Sequence, residues 1–381
     1  MANLAASQRL DWVIPGLPFG NGSDGVYSSA TIPTLTKDSC SGTSGNATLT
    51  TTGSTFANGD ILLLHQTRGT SAGVWEVAKV ASGGGSTTLT LTKNKVNTYT
   101  DSGASQAQAV KVPQYTDVTV QSGTWTVPAW DGNVGGILPI AVKGTLTITG
   151  TLTVKGTDGG TGAGTAGAVG IGFAGGASSA SSQATQGESS TGAGSGSTGA
   201  NGMGGGGGNT YGGGGGGGYA TAGITGGTGG GGTGGTGGGT AGVADLTTIL
   251  FGGGGGGSAR NGNLAQPGAG SGGIILIMAN AISIGGAISS NGGAAQNADV
   301  GGGDGGSGAG GSILFVCKTA ILGSALATAT GGPQRSGTGG DGRIAIHHSG
   351  TVTGTSNPTF NDTSEPTLVE SLGGSFFLSM I

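Results

Sequence analysis

Short runs in which a polar residue, most often threonine, alternates with an aliphatic one recur through the first third of the chain. They are Ala47–Thr52, Ile61–His65, Val74–Val80, Thr87–Thr92, Asp117–Val120 and Thr124–Val127. A period of two places alternate side chains on opposite faces, so each run predicts a β-strand with one buried face. Turn chemistry bounds them, as in Asn58-Gly59-Asp60 and Gly83-Gly84-Gly85. No stretch carries the 3.6-residue period of an amphipathic helix. The pattern predicts an all-β chain.

A second pattern is a repeat. The segments that start at Gly136 (ILPIAVKGTLTITGTLTVKG follows), Gly273 (IILIMANAISIGGAISSNGG) and Gly311 (SILFVCKTAILGSALATATGG) share one grammar, and Gly342 opens a truncated fourth copy. Each begins at glycine, runs through an apolar strand, turns at small polar residues, continues in a second strand and enters a glycine tract. Repeated units of this kind bury one another's faces by stacking. The expectation is a stacked β scaffold from which glycine tracts leave and to which they return.

The longest tract, Gly156–Gly273, is nearly half glycine and holds the unbroken runs Gly204–Gly208, Gly212–Gly218 and Gly252–Gly257. One reading is a flexible linker, because glycine loses the most backbone freedom on ordering. The other is a bundle of polyglycine helices of the polyproline II type, which lack internal hydrogen bonds and must pair with their neighbours. A solvating linker is expected to be rich in charge, yet Asp158, Glu188, Asp245 and Arg260 are the only charged residues in the tract. The ordered bundle is therefore expected. The predicted fold class is all-β with a polyglycine II helix bundle, divided into an attachment arm (1–25), a β-rich domain (26–155), a glycine-rich domain with interspersed strand repeats (156–349) and a C-terminal docking segment (350–381).

Composition narrows the function. Of 381 residues, 95 are glycine and only 8% are charged, and the formal charge is −4 with a pI near 5.2. That balance gives no electrostatic case for nucleic acid or an anionic membrane surface. No apolar run reaches the length of a membrane span, and the N-terminus lacks the pattern of a secretory signal. Cys40 and Cys317 fit no metal or redox spacing and are expected to be buried as small apolar residues.

Catalytic constellations are absent from the pattern. The histidines are His65, expected to cap an apolar strand, and His347 and His348, which as strand neighbours point to opposite faces. The carboxylates Asp24, Asp60, Asp158, Asp299, Asp304 and Asp341 are scattered through glycine turns. Gly-Asp-Gly at Gly303–Gly305 and Gly340–Gly342 lacks the nine-residue period of calcium-binding repeats. No enzyme activity, cofactor or metal is expected. The threonines Thr228, Thr233, Thr236 and Thr240 have irregular spacing, which argues against an ice-binding face.

Binding is the class that remains. The bulky or polar residues inside the long tract, Phe173, Met203, Asn209, Tyr211, Tyr219, Phe251 and Arg260, are the candidates for receptor contact, with packing of the bundle as the alternative. Tyrosine offers a large contact area at small entropy cost. The apolar residues of the two termini, Trp12, Val13, Phe19, Phe376 and Phe377, are the candidates for assembly contacts.

These residues resemble a known group. The opening FGNGSDG at Phe19–Gly25, the blocks Gly273–Gly293 and Gly311–Gly332 and the segment SEPTLVESLG at 364–373 resemble glycine-rich phage tail and prophage proteins. The polyglycine tracts are similar to those of the tip adhesins of T-even-like phage long tail fibres. That resemblance implies a polyglycine II sandwich whose loops bind a host-surface receptor, either a protein loop or a glycan. It also implies a place on the virion surface among other virion subunits, in a homo-oligomer. The β region Val26–Val112 departs from those tip adhesins, and Gly59–Val80 is similar to bacterial glycine-rich surface proteins. A structural subunit of an extracellular filament or cell-surface coat is the alternative expectation, and a tail-associated depolymerase a third.

Overall fold

The computed structural model describes residues 19–180, 182–260, 265–297 and 303–365. Trp12, Val13, Phe376 and Phe377 lie outside the described residues. Among those described there is no helix, and the protein is all-β.

After a short strand Tyr27–Ser29 (β1), six strands close an antiparallel barrel: Lys37–Ser41 (β2), Thr48–Thr51 (β3), Ile61–Arg68 (β4), Trp75–Ser82 (β5), Thr88–Leu91 (β6) and Gln106–Lys111 (β7). Their order is β2-β3-β6-β5-β4-β7. Alternation decides what fills it. Leu49, Leu62, Leu64, Leu89 and Leu91 point inward around Phe56 and Tyr99, while Ile61, Leu63, Trp75 and Val77 point outward into a second core. The central strand β4 is therefore buried on both faces.

Parallel strands follow. They are Gln114–Tyr115 (β8), Val118–Val120 (β9), Thr124–Trp125 (β10), Ile137–Ile148 (β11), Thr151–Thr153 (β12), Ile274–Ile284 (β13), Ala287–Ser289 (β14), Ser312–Ile321 (β15), Ala327–Thr328 (β16), Arg343–His348 (β17), Val352–Thr353 (β18), Ser356–Asn357 (β19) and Asn361–Ser364 (β20). One sheet runs β1-β9-β11-β13-β15-β17-β20, with β8 and β18 at its margins, and a second runs β10-β12-β14-β16-β19. The four sequence repeats stack in register: Ile137 pairs with Ile274, Ile274 with Ser312, and Ser312 with Arg343. Equivalent positions thus form ladders, such as Leu138–Ile275–Ile313–Ile344 and Ile140–Ile277–Phe315–Ile346, which make the core between the two sheets.

Parallel neighbours need a crossover of a dozen or more residues, most often a helix. Here the crossovers are the glycine tracts, 154–273, 290–311 and 329–342. Their described residues form neither helix nor named strand, yet their backbone is bonded from tract to tract. Along the seven-glycine run the partners repeat every three residues. Gly213 and Gly216 donate to the carbonyls of Gly227 and Ile224, Gly214 and Gly217 to Asp304 and Ser307, and Gly215 and Gly218 to Gly206 and Met203. In the run Gly252–Gly257 the order is the same: Gly253 and Gly256 donate to Gly218 and Gly215, Gly254 and Gly257 to Glu188 and Thr185, and Gly252 and Gly255 to Gly272 and Ala269. All these donor–acceptor distances lie between 2.7 and 3.2 Å. A flexible linker would not hold such partners.

Candidate functional site

The glycine segments run out from the scaffold and back, which gives the array a base against the sheet and the barrel and a far end made of bends. The seven candidate receptor residues divide between these ends.

Four of them lie at the base. Phe173, Met203, Tyr219 and Phe251 are all at least 98% buried and join one core with Trp75 and Val77 of the barrel and Leu276, Met278, Leu314 and Val316 of the sheet. Phe173 and Phe251 meet edge-on at 5.1 Å between centroids, and Trp130 packs edge-on against both. The Tyr219 hydroxyl lies 2.9 Å from Ser312 Oγ, and the Arg343 guanidinium sits 5.3 Å from the centre of its ring. Receptor contact is therefore corrected to packing for these four. A side chain without exposed surface has nothing to offer a partner.

Polar contacts reinforce the base. Glu188 takes Arg68 Nη1 at 2.6 Å and Trp130 Nε1 at 3.0 Å on one oxygen, and the Ala174 amide at 3.1 Å on the other. Trp75 Nε1 donates to the Leu246 carbonyl at 3.3 Å. His65 stands inside β4 rather than at a strand end, and it is buried. Thr67 Oγ1 and the Ile249 carbonyl occupy its two ring nitrogens at 2.9 Å each. Burial lowers its pKa to about 4, partly countered by the Ile249 carbonyl. It fastens barrel to loop. Phe19 packs, partly buried, against the same core.

Asn209, Tyr211 and Arg260 come together at the far end, all half-buried. Ser179, Ser182 and Gln183 tie them. Arg260 N donates to the Ser179 carbonyl at 3.0 Å, Thr210 N to the Ser182 carbonyl at 2.6 Å, and Gln183 bridges Asn209. On the other side the Asn209 amide donates to the Thr233 carbonyl at 2.9 Å. Gly230 backs the Tyr211 ring so closely that a methyl group there would lie 3.1 Å from it. Thr210 holds a φ of 59°, a left-handed conformation uncommon for threonine, and turns the chain between two glycine runs.

A neighbouring bend adds residues that sequence reasoning passed over. Arg335 forms a two-pronged ion pair with buried Asp304, Nη2 to Oδ1 at 2.9 Å and Nε to Oδ2 at 3.2 Å, and Ser336 Oγ donates to the same carboxylate. The Asp304 of Gly303–Gly305 thus pairs with an arginine. The signal was present in Pro333-Gln334-Arg335-Ser336, a polar bend between glycine pairs.

Cys40 and Cys317 are buried free thiols, and burial pushes the Cys317 thiol up to about 12 and that of Cys40 higher still. Among the described residues no three His, Cys, Asp or Glu side chains converge as a metal site. A groove of about 480 Å³ on the barrel is walled by hydroxyls, including those of Ser41, Thr48, Thr50 and Thr98, beside Asp101. Burial raises the Asp101 pKa, with Asp38 adding to the effect. No family model matches the chain, and no curated protein or solved structure matches it.

Proposed function

We propose that this is a phage virion protein, a tail fibre, tip or decoration subunit, that displays a polyglycine II bundle whose far-end bends recognise a host surface. The observation that carries the reading is the three-residue repeat of backbone partners along Gly213–Gly218 and Gly252–Gly257. Polyproline II geometry has three residues per turn and leaves every amide and carbonyl to a neighbour, so successive amides point to three different helices. In such a bundle the helices are bare backbone, and recognition falls to the bends. The far-end group supports the same reading: Asn209, Tyr211 and Arg260 sit on a hydrogen-bonded lattice, which reduces the ordering cost of binding.

The partner class is a receptor loop or glycan, and the protein acts without catalysis, cofactor or membrane insertion. The test is binding of fluorescently labelled full-length protein to a panel of bacterial cells. Tyr211→Ala and Arg260→Ala should each weaken binding at a temperature where both variants remain folded. Equal binding by wild type and both variants, or binding to no cell type, would remove the reading.

One observation favours a filament or coat subunit as a second reading. Among the described residues β1 and β20 pair along one edge only, and open edges accept further strands. Concentration-dependent filaments in electron micrographs, without cell binding, would select it.

A further inference from the structure

His347 lies in β17 and is 2% exposed, and both of its ring nitrogens face acceptors. Nδ1 is 2.6 Å from Glu365 Oε1, just beyond β20, and Nε2 is 2.7 Å from the Asp245 carbonyl. A neutral imidazole carries one N–H and one lone pair, whereas the imidazolium carries two N–H groups. Only the charged ring donates to both partners. Loss of the proton turns one of these short contacts into a lone pair facing an acceptor, in a place from which water is excluded.

We infer that His347 is a pH-operated latch, which fastens β20 and the 241–250 loop to β17 while charged and releases them on losing its proton. The groups that face the ring are consistent with this. From the segment after β20 comes the Glu365 carboxylate, and from the loop come the carbonyl and carboxylate of Asp245. The β15 residue opposite is Val316 and the β20 residue opposite is Thr363, and neither titrates. Asp362 lies on the other face, where it pairs with His348 Nε2 at 2.8 Å and stands near the Cys317 thiol. Burial opposes the charge on His347, but the Glu365 and Asp245 hydrogen bonds and carboxylates outweigh it and raise its pKa above 6.5.

The sign follows. A histidine with a raised folded pKa adds stability that is complete below 6.5 and is lost as pH rises through the folded value. Two things hang on the latch. β20 is the last strand of the nine-stranded sheet, so its departure bares the edge of β17 to strand addition. The loop holds the barrel through the Leu246 and Ile249 carbonyls, so release at Asp245 loosens that joint.

Hydrogen exchange on the full-length protein, corrected for the intrinsic base-catalysed rate, tests this at about pH 6 and about pH 9. In wild type the protection of β20 and of the Glu365 amide, which donates to the His348 carbonyl, should fall, while the amides of β3, on the barrel away from the loop, hold. Glu365→Gln should abolish the pH dependence and Asp362→Asn should keep it. Constant β20 protection in wild type, an undiminished pH response in Glu365→Gln, or a parallel loss in β3 would overturn the latch. Ring-nitrogen NMR of wild type guards against a variant that fails to fold. Two protonated nitrogens on His347 at about pH 6 are expected, and a single protonated nitrogen there overturns the inference.

Discussion

Replacing Gly215 by alanine separates an ordered lattice from a linker. A methyl group on Gly215 would lie 2.6 Å from the Gly235 carbonyl oxygen and 2.7 Å from the Thr236 carbonyl carbon, with the Thr236 oxygen closer still. Ordinary contact begins near 3.4 Å, so the neighbouring segment must retreat by roughly 1 Å. It is not free to do so. Gly235 N donates to Gly213 O and Thr236 N to Thr198 O, both at 2.8 Å, while Gly215 itself donates to Gly206 O at 2.9 Å and accepts from Gly256 N at 2.8 Å. Overpacking costs about 1–3 kcal/mol, and each weakened hydrogen bond about 0.5–1.5 kcal/mol. Loss of glycine's freedom in the unfolded chain returns about 0.4–1 kcal/mol. With the two hydrogen bonds of Gly215 itself weakened, the net expectation is about 1–6 kcal/mol of destabilisation.

The control is a glycine with room. At Gly199 the methyl would lie 3.6 Å from Ser197 Oγ, and at Gly160 it would lie 3.7 Å from Pro267 Cγ. Gly199→Ala and Gly160→Ala should be neutral, or stabilising by up to about 1 kcal/mol. The assay is urea denaturation together with exchange protection of peptides covering 203–218 and 235–257. If Gly215→Ala and Gly199→Ala give the same midpoint and the same protection, close packing of the glycine segments is refuted.

Three further outcomes follow from the base and the far end. Arg68→Met strands the Glu188 carboxylate in a site where the two side chains are only 13% and 11% exposed, and urea midpoints should report a loss of about 3–5 kcal/mol. Tyr219→Phe, which removes the Ser312 partner, should cost about 1–2 kcal/mol and leave cell binding intact, the reverse of Tyr211→Ala. His65 is neutral when folded and protonates only near 4, against 6.5 when unfolded, so the unfolded chain takes the proton first as pH falls. Stability should drop by roughly 3 kcal/mol between those values, and His65→Gln should flatten that part of the urea-midpoint profile.

How much of this the sequence carries varies by element. The runs Ala47–Thr52 and Thr87–Thr92 mark β3 and β6, because their leucines alternate with exposed threonines. The four glycine-led repeats align from their first strand residues, and the first pair stays in register as far as Val142, where an irregularity in β11 shifts it. The closing strands of the barrel leave no such trace. In β7 the buried positions include Gln106 and Gln108, and Gln108 is accommodated only because Thr67 Oγ1 and the Gly135 backbone satisfy its amide. For the same reason β4 runs past His65 to Arg68. Gln66 is buried while bonded to the Arg68 and Thr100 backbone. Strands whose buried polar groups find distant partners carry no alternation to read.

The tyrosines show the same limit at the site. Tyr211 and Tyr219 flank one glycine run and look equivalent in sequence. On the proposed polyproline II geometry, seven residues at about 3.1 Å each carry the chain roughly 22 Å, which places the two rings at opposite ends of the segment. Which end is buried depends on where the run meets the scaffold, and that is a tertiary fact: Ser312 of β15 waits beneath Tyr219, whereas Gly230 of another bend backs Tyr211.

Parallel strands and glycine segments together explain why the far end is the part free to vary. Each crossover must leave the scaffold and return to the next strand in register, so its two ends are fixed by the ladders Ile137–Ile274–Ser312–Arg343. Between those ends the segments are fixed by backbone contacts that exclude a Cβ, as at Gly205, Gly206, Gly215 and Gly256. The bends carry neither constraint in full. Thr210 and Arg335 are exposed. An insertion at 209–211 or 334–336 should therefore cost only that bend's own contacts, the Arg335–Asp304 pair among them, whereas one residue inserted at 214–216 shifts every third-residue partner by one position and unpairs the run.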